Sequence, residues 1–487
     1  MNQAIRNTWI AVMLLFVLCI GSLSYVQFFN AKNLNENALN KRQLFRDFDL
    51  PRGAILVDGK PIAESVPSDG QFKYQRVYND PQLYSHLTGF YSLSQSSTQL
   101  ENKMNDELTG RSQDQFFDRV INLLSGKENE GASVELTIDG KLQKFIYDLI
   151  PEGTRGSIIV SEPKTGNILA MASKPSYDTN LLAVHNSKQA AANMKKILEV
   201  PGLSPYRNPA LGNLIAPGSS FKVLDLVAAI ESGKYTADTM MKNPPTIILP
   251  GTNQPLSNFY GGNCAAKTEA PLSFIVAQSC NTPFVTMSED LGAEAFEGVT
   301  ENFGFGQQLN IPLSVAPSVF PAGLDPAALG QSVIGERDVR ATALQMNMVA
   351  MGIANGGVIM EPNLVKRVIA PDLKVLSESK PKAFSTATSK DVAEQVTDLM
   401  REPVKSGTAV RAQVPGLDIA AKTGTSVIPC TKKPCGPPLV NSWITGFAPA
   451  NDPQVAVTIA FEQIDFKTGS SLTSPNLKKI LEAVFNQ

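Results

Sequence analysis

From Asn7 to Ala31 the chain carries no charged side chain, and Thr8–Phe29 (TWIAVMLLFVLCIGSLSYVQFF) is long and apolar enough to cross a bilayer as one helix. The run continues beyond Ser22 and Ser24, where a cleaved signal peptide would end, so it reads as a retained anchor. Flanking positive charge points the other way: only Arg6 precedes the segment, while Lys32, Lys41, Arg42 and Arg46 follow it. A short N-terminal tail holds no domain to keep inside, however, and paired cysteines downstream suit an oxidising exterior. Residues 30–130 are polar, with turns at Asp58-Gly59 and Ser68-Asp69-Gly70, and end in the linker-like Gly126–Gly131.

Beyond that the periodicity changes. SVELTI predicts a strand, DGKLQKFIYDLI a helix opened by Asp139, and GSIIVSEPKTGNILAMAS two strands around a turn. A helix is predicted over Val339–Asn355, stopped by Gly356-Gly357. Strands follow at Leu417–Lys422, Ser442–Ala448 and Gln454–Phe461, then a helix over Pro475–Phe485. Strands at both ends with helices between predict an α+β domain whose sheet is completed by the C-terminal part of the chain.

Composition narrows the chemistry. Lys plus Arg number 43 against 45 Asp plus Glu among 487 residues, so no global field attracts nucleic acid. Only two histidines occur, His86 and His185, and both read as surface or helix-end residues; histidine general bases and histidine-rich metal sites find little to draw on. No C-x-x-C is present among the five cysteines, and no metal or cofactor is expected.

Without histidine, a serine is best activated by a lysine one helical turn away, because positions i and i+3 share a face and a desolvated lysine is neutral near working pH. S-x-x-K occurs at Ser161/Lys164, Ser219/Lys222 and, within the run SESKPK, at Ser377/Lys380. Only Ser219 runs into an apolar helix, VLDLVAAIESG, which places its hydroxyl beside free backbone N–H groups; the other two read as surface segments. S-x-N occurs at Ser279/Asn281 and Ser474/Asn476, and K-T-G at Lys164, Lys422 and Lys467. Lys164 reads as a hairpin turn and Lys467 as a loop, whereas Lys422 ends a small-residue strand in which Gly424 lets a substrate backbone approach.

Ser219–Lys222, Ser279–Asn281 and Lys422–Gly424, in that order, resemble the signature of penicillin-binding proteins and serine β-lactamases. Arg52-Gly53-Ala54-Ile55, Leu100-Glu101, Gly335-Glu336 and Trp443–Phe447 extend the resemblance to the monofunctional class B penicillin-binding proteins, over almost the whole chain. It implies a cytoplasmic tail (1–7), a transmembrane anchor (8–29), a non-catalytic, dimerisation-like module (30–130) and an extracytoplasmic transpeptidase domain (131–487). The implied activity is D,D-transpeptidation of peptidoglycan stem peptides, supplied as such or as lipid-linked precursor, with β-lactams as acylating mimics and cell-division or elongation proteins as partners. Ser219 is then the nucleophile, Lys222 the base and Ser279 the proton relay. Asn281 would bond the substrate peptide, while Lys422, Thr423 and Thr425 would hold its carboxylate. The backbone N–H groups of Ser219 and Thr425 would form the oxyanion hole. Cys264 with Cys280, and Cys430 with Cys435, are candidate disulfides near the site. A β-lactamase, a D,D-carboxypeptidase and a catalytically silent envelope scaffold are the competing readings.

Overall fold

The protein is seen here as a computed structural model describing residues 3–30, 45–126, 128–258, 263–309, 311–430 and 437–485. Helix α1 (Gln3–Ser24), prolonged by a further helical turn to Phe29, is long and apolar enough to span a membrane and buries none of its side chains against the rest of the chain.

The first sheet joins β1 (Ile55–Val57), β2 (Lys60–Pro67) and β3 (Tyr74–Tyr78) to β4 (Ser133–Leu136), which lies parallel to β1. Beneath it, fully buried Glu101 accepts from Arg52 at 2.6 Å and Arg76 at 2.7 Å, with the Tyr78 hydroxyl at 3.1 Å. Two guanidinium groups compensate one buried carboxylate, which holds it below the usual carboxylate range despite desolvation. The module also carries α2 (Phe116–Ser125).

In the larger part, α3 (Gly140–Asp148) is capped by the Asp139 carboxylate accepting from Leu142 N–H, as its sequence predicts. Strands β5 (Arg155–Ser161) and β6 (Ile168–Lys174) form the expected hairpin. Helices α4 (Lys222–Glu231), α5 (Leu272–Gln278), α6 (Thr282–Leu291) and α7 (Ala343–Ala354) follow. The last starts later than the apolar pattern suggests: Thr342 caps it, and Arg340 and Ala341 are instead held in extended bridges to Val319 and Ile215. Strands β7 (Val365–Ile369) and β8 (Val375–Glu378) return to the first sheet, giving the order β8-β7-β4-β1-β2-β3. The polar run around Ser377 is therefore an edge strand. It is followed by α8 (Lys390–Ser406).

Strands β9 (Ala420–Val427), β10 (Leu439–Ala448) and β11 (Val455–Asp465) complete an antiparallel sheet ordered β9-β10-β11-β5-β6. N-terminal β5 thus pairs with C-terminal β11, as the α+β reading requires. Alternate residues feed two cores. Ile158 and Val160 face α3 and α10 (Ser474–Phe485), while Ile159 faces α7, which is buried on all sides. Lys467-Thr468-Gly469 is not a loop but lies in helix α9 (Phe466–Leu472), opened by Asp465 accepting from Thr468 N–H. Ser161 is fully buried, with its hydroxyl donating to Asn347 Oδ1, because the hairpin packs on α7 rather than on solvent.

Candidate active site

The nucleophile candidate sits where a tight turn becomes a helix. Gly218–Phe221 makes one 3-10 turn that runs into α4, placing Lys222 one turn after Ser219. Strand β9 is an edge strand and lies directly against this turn. A Cβ on Gly424 would stand 2.4 Å from the Pro217 carbonyl oxygen, and one on Gly218 2.3 Å from that of Thr425. Gly424 is thus required by the protein's own packing, and it also lines the cleft, where the sequence expectation puts a substrate backbone. Trp443 Nε1 and Ser426 Oγ both donate to the Ala216 carbonyl at 3.0 Å, pinning the approach to the turn. Ser220, beside the nucleophile, donates to Pro217 O at 2.7 Å.

Strand β9 extends beyond the expected end at Lys422, so Thr423, Gly424 and Thr425 are strand residues paired to β10. Its alternation buries Lys422 and leaves Thr423 and Thr425 partly open to the cleft. Lys422 Nζ donates to Ser279 Oγ at 2.7 Å and to Thr423 O at 3.1 Å. Ser279 ends α5 in a left-handed conformation (φ 61°), a strain on the order of 1 kcal/mol for a non-glycine residue. Lys222 Nζ donates to the Ser279 carbonyl at 3.0 Å, the Cys280 carbonyl at 2.9 Å and Asn281 Oδ1 at 2.7 Å. Asn281, expected to face substrate, spends its oxygen on Lys222 and donates its Nδ2 to Ser257 O at 3.1 Å. Cys280 is joined to Cys264 by a disulfide that ties the S-x-N turn to the preceding loop. Cys435, in the second expected pair, lies outside the described residues.

The electrostatics follow from burial. Lys222 and Lys422 are both fully buried. Desolvation, followed by repulsion from Lys422, drives the Lys222 ammonium well below its ordinary value, and desolvation brings Lys422 down to about 7. Asp225, one turn after Lys222, is also fully buried; neither carboxylate oxygen has a hydrogen-bond partner, and desolvation pushes it well above the carboxylate range.

A cleft of about 350 Å³ opens over this cluster, lined by Ser219, Ser279, Asn281, Thr423, Gly424 and Thr425. Its wall includes residues outside the three catalytic motifs. Thr408 shares a hydrogen bond with the Thr423 hydroxyl at 2.6 Å; Arg411 and Glu336 are the charged residues of the lining. Glu336, whose carboxylate accepts from the Val427 backbone, is raised to about 7, chiefly by burial. The glycine before it gave the one available signal, since Gly335 O accepts from Gly218 N–H at 2.9 Å. The histidines lie elsewhere. His86 is buried, against expectation, with Nε2 2.8 Å from Pro175 O and a pKa lowered to about 4 by desolvation; His185 sits edge-on to Phe48 and Phe72.

Residues 156–482 match the penicillin binding protein transpeptidase domain family, and residues 52–134 the penicillin binding protein A dimerisation domain. The peptidoglycan D,D-transpeptidase PbpA of Mycolicibacterium smegmatis is 37% identical over 98% of this chain and 97% of that protein, and that of Mycobacterium tuberculosis 35% identical over 99% of each. The ceftriaxone acyl-enzyme of penicillin-binding protein A from M. tuberculosis superposes with a TM-score of 0.85 at 35% identity, covering 91% of this chain and all of that one. Its penicillin G acyl-enzyme gives 0.82 at 36% identity, covering 89% and 99%. The tract His86–Glu101 and the cysteine within Ser279-Cys280-Asn281 carry the same finer resemblance in sequence. With both domains matched and relatives aligned almost from end to end, the chain belongs to the penicillin-binding protein transpeptidase family, as a class B member of the penicillin-binding protein A type.

Proposed function

We propose that the protein is a peptidoglycan D,D-transpeptidase acting through a Ser219 acyl-enzyme. The observation that carries the reading is the assembly of Ser219, two buried lysines and Ser279 at one cleft, supported by the activity named for the mycobacterial relatives. Lys222, deprotonated through burial and then donating to two of its three acceptors, takes the Ser219 proton on its lone pair as Oγ attacks the carbonyl carbon of the penultimate D-alanine. Backbone N–H groups of Ser219 and Thr425 receive the oxyanion, a contribution of about 3–4 kcal/mol per donor in such sites. Ser279, held by Lys422, relays to the departing D-alanine amine the proton that Lys222 took from Ser219, which leaves Lys222 neutral again. Asn281 positions both the base and the substrate peptide, and Lys422, Thr423 and Thr425 hold the terminal carboxylate. The amine of a second stem then attacks the ester carbon, and its proton passes through Lys222 to Ser219 Oγ as the serine departs. β-Lactams acylate Ser219 by the first half of this cycle.

Residues 8–29 anchor the chain in the cytoplasmic membrane, the tail 1–7 inside, with the module 30–130 and the transpeptidase domain 131–487 outside, where a disulfide persists. Division or elongation proteins are the natural partners of such an enzyme. Fluorescent penicillin applied to membranes tests the assignment: the label is expected on the Ser219 peptide by mass spectrometry and absent from Ser219→Ala. A label surviving that substitution refutes it, and turnover with water but never with an added amine acceptor would make the enzyme a carboxypeptidase.

A further inference from the structure

Helix α2 has its amphipathicity inverted. Phe117, Ile121 and Leu124 are 76%, 61% and 83% exposed, and Phe116 and Val120 are exposed beside them. At the spacing i, i+4, i+7, three of these form one stripe, with Val120 alongside it. It is the opposite, polar face that docks: Arg119 Nη1 donates to Gly110 O at 3.1 Å and Ser112 O at 2.9 Å, and Asn122 Nδ2 to Asn129 Oδ1 at 3.4 Å. A helix on a water-soluble surface buries its apolar stripe; here the stripe faces outward while half-buried Arg119 and Asn122 hold the helix to the module, so the stripe needs an apolar partner outside it.

Position indicates which partner. Just before the helix, Arg111 Nη1 donates to both carboxylate oxygens of Asp47, at 2.9 and 3.0 Å. Asp47 lies close after the stretch 31–44 that leads from the apolar helix ending at Phe29. A stretch of that length spans at most about 50 Å. The base of α2 is thus tethered near the point where the chain leaves the bilayer. Ile121 borders a cleft towards Ala370 and Pro371, while Phe117 and Leu124 stand clear of its lining, and an outward apolar stripe of this kind matches the acyl boundary of a lipid surface, into which such faces sink by about 5–10 Å. We infer that α2 lies in the outer interface of the membrane that holds α1, with Phe117, Ile121 and Leu124 among the lipid, as a second contact that fixes the orientation of the module. The inference rests on the anchor reading of residues 8–29.

The test uses the full chain in phosphatidylcholine–phosphatidylglycerol vesicles, labelled without reductant with an environment-sensitive fluorophore. Three single-site versions are compared: native Cys19 within α1, and Leu124→Cys or Asn122→Cys in a Cys19→Ser background. Retained penicillin labelling certifies each fold. Expected is several-fold stronger quenching by spin-labelled lipid, and weaker quenching by aqueous iodide, at position 124 than at 122. Equal access of iodide to both positions overturns the inference. So does shielding at 124 from both quenchers, which would place a protein, or a second copy detected by cross-linking at 124, on the stripe. A label at Cys19 that lipid does not quench refutes the anchor reading itself, and this inference with it.

Discussion

Lys422 Nζ lies 2.7 Å from Ser279 Oγ, whereas Lys222 holds the same residue by its carbonyl, at 3.0 Å. One serine is gripped by both lysines through different atoms. Because Lys422 and the Ser279 hydroxyl act as one unit, Ser279→Ala and Lys422→Ala should each slow acylation by benzylpenicillin by about 10²–10³-fold, and the double variant should be little slower than either. Stopped-flow acylation constants multiplying in the double variant would show independent roles.

Glu336 gives a pH signature. Its carboxyl, raised to about 7, is neutral below that pH and charged above it, facing an anionic β-lactam in the cleft. Lys422, lowered to about 7, loses its positive charge over the same range. The second-order acylation constant should therefore fall above pH 7. Glu336→Gln should recover about threefold at pH 8.5, the rest of the limb belonging to Lys422. An unchanged profile would place the Glu336 charge out of reach of the ligand.

Asp225 should cost stability. Its folded-state pKa is raised, so the folded protein keeps a proton that the unfolded chain releases above the ordinary carboxyl value; the contribution is lost as pH rises from about 4. Asp225→Leu, which removes two unpartnered buried oxygens, should raise stability by about 2 kcal/mol at pH 8 and by much less near pH 4. Thermal melts of the full chain in detergent at the two pH values check this; a gap independent of pH would assign the gain to packing.

The Cys264–Cys280 bond closes a loop beside two of the carbonyls that hold Lys222. Reduction should lower stability by about 3 kcal/mol by loop entropy and slow acylation several-fold by loosening the Ser279–Asn281 turn. Cys264→Ser/Cys280→Ser should reproduce both effects without reductant; acylation at the wild-type rate would separate the bond from the site.

How much of this was written in the chain depends on whether the signal is local. Ser219, Lys222, Ser279 and Lys422 were readable because each motif pairs a reactive side chain with a turn or helix start that its neighbours announce. Thr408 and Arg411 were not, since each reaches the cleft through tertiary packing alone, and Gly335-Glu336 was read only as part of a resemblance, with no place at the site. Ser161 was misread as surface because the residues around it spell a hairpin, and only the distant Asn347 reveals a buried one. Thr-Gly-Thr after Lys422 has the composition of a turn, yet pairing with β10 holds it extended. The sheet that unites β4 with β7 was equally hidden, its pairing linking residues more than two hundred positions apart.

The pairing of β5 with β11 also sets a schedule for biogenesis. Ile158 meets Ile459, and the wall behind Ser219 is built from residues 420–427. On the proposed anchor topology the chain exports its nucleophile long before that wall exists, and these distant contacts close slowly. Until β11 arrives, an exported chain holds an unassembled serine, blind to substrate and antibiotic alike. Penicillin reactivity is thus a measure of completed folding, and a pulse-labelled chain should acquire it only after its last strand has docked.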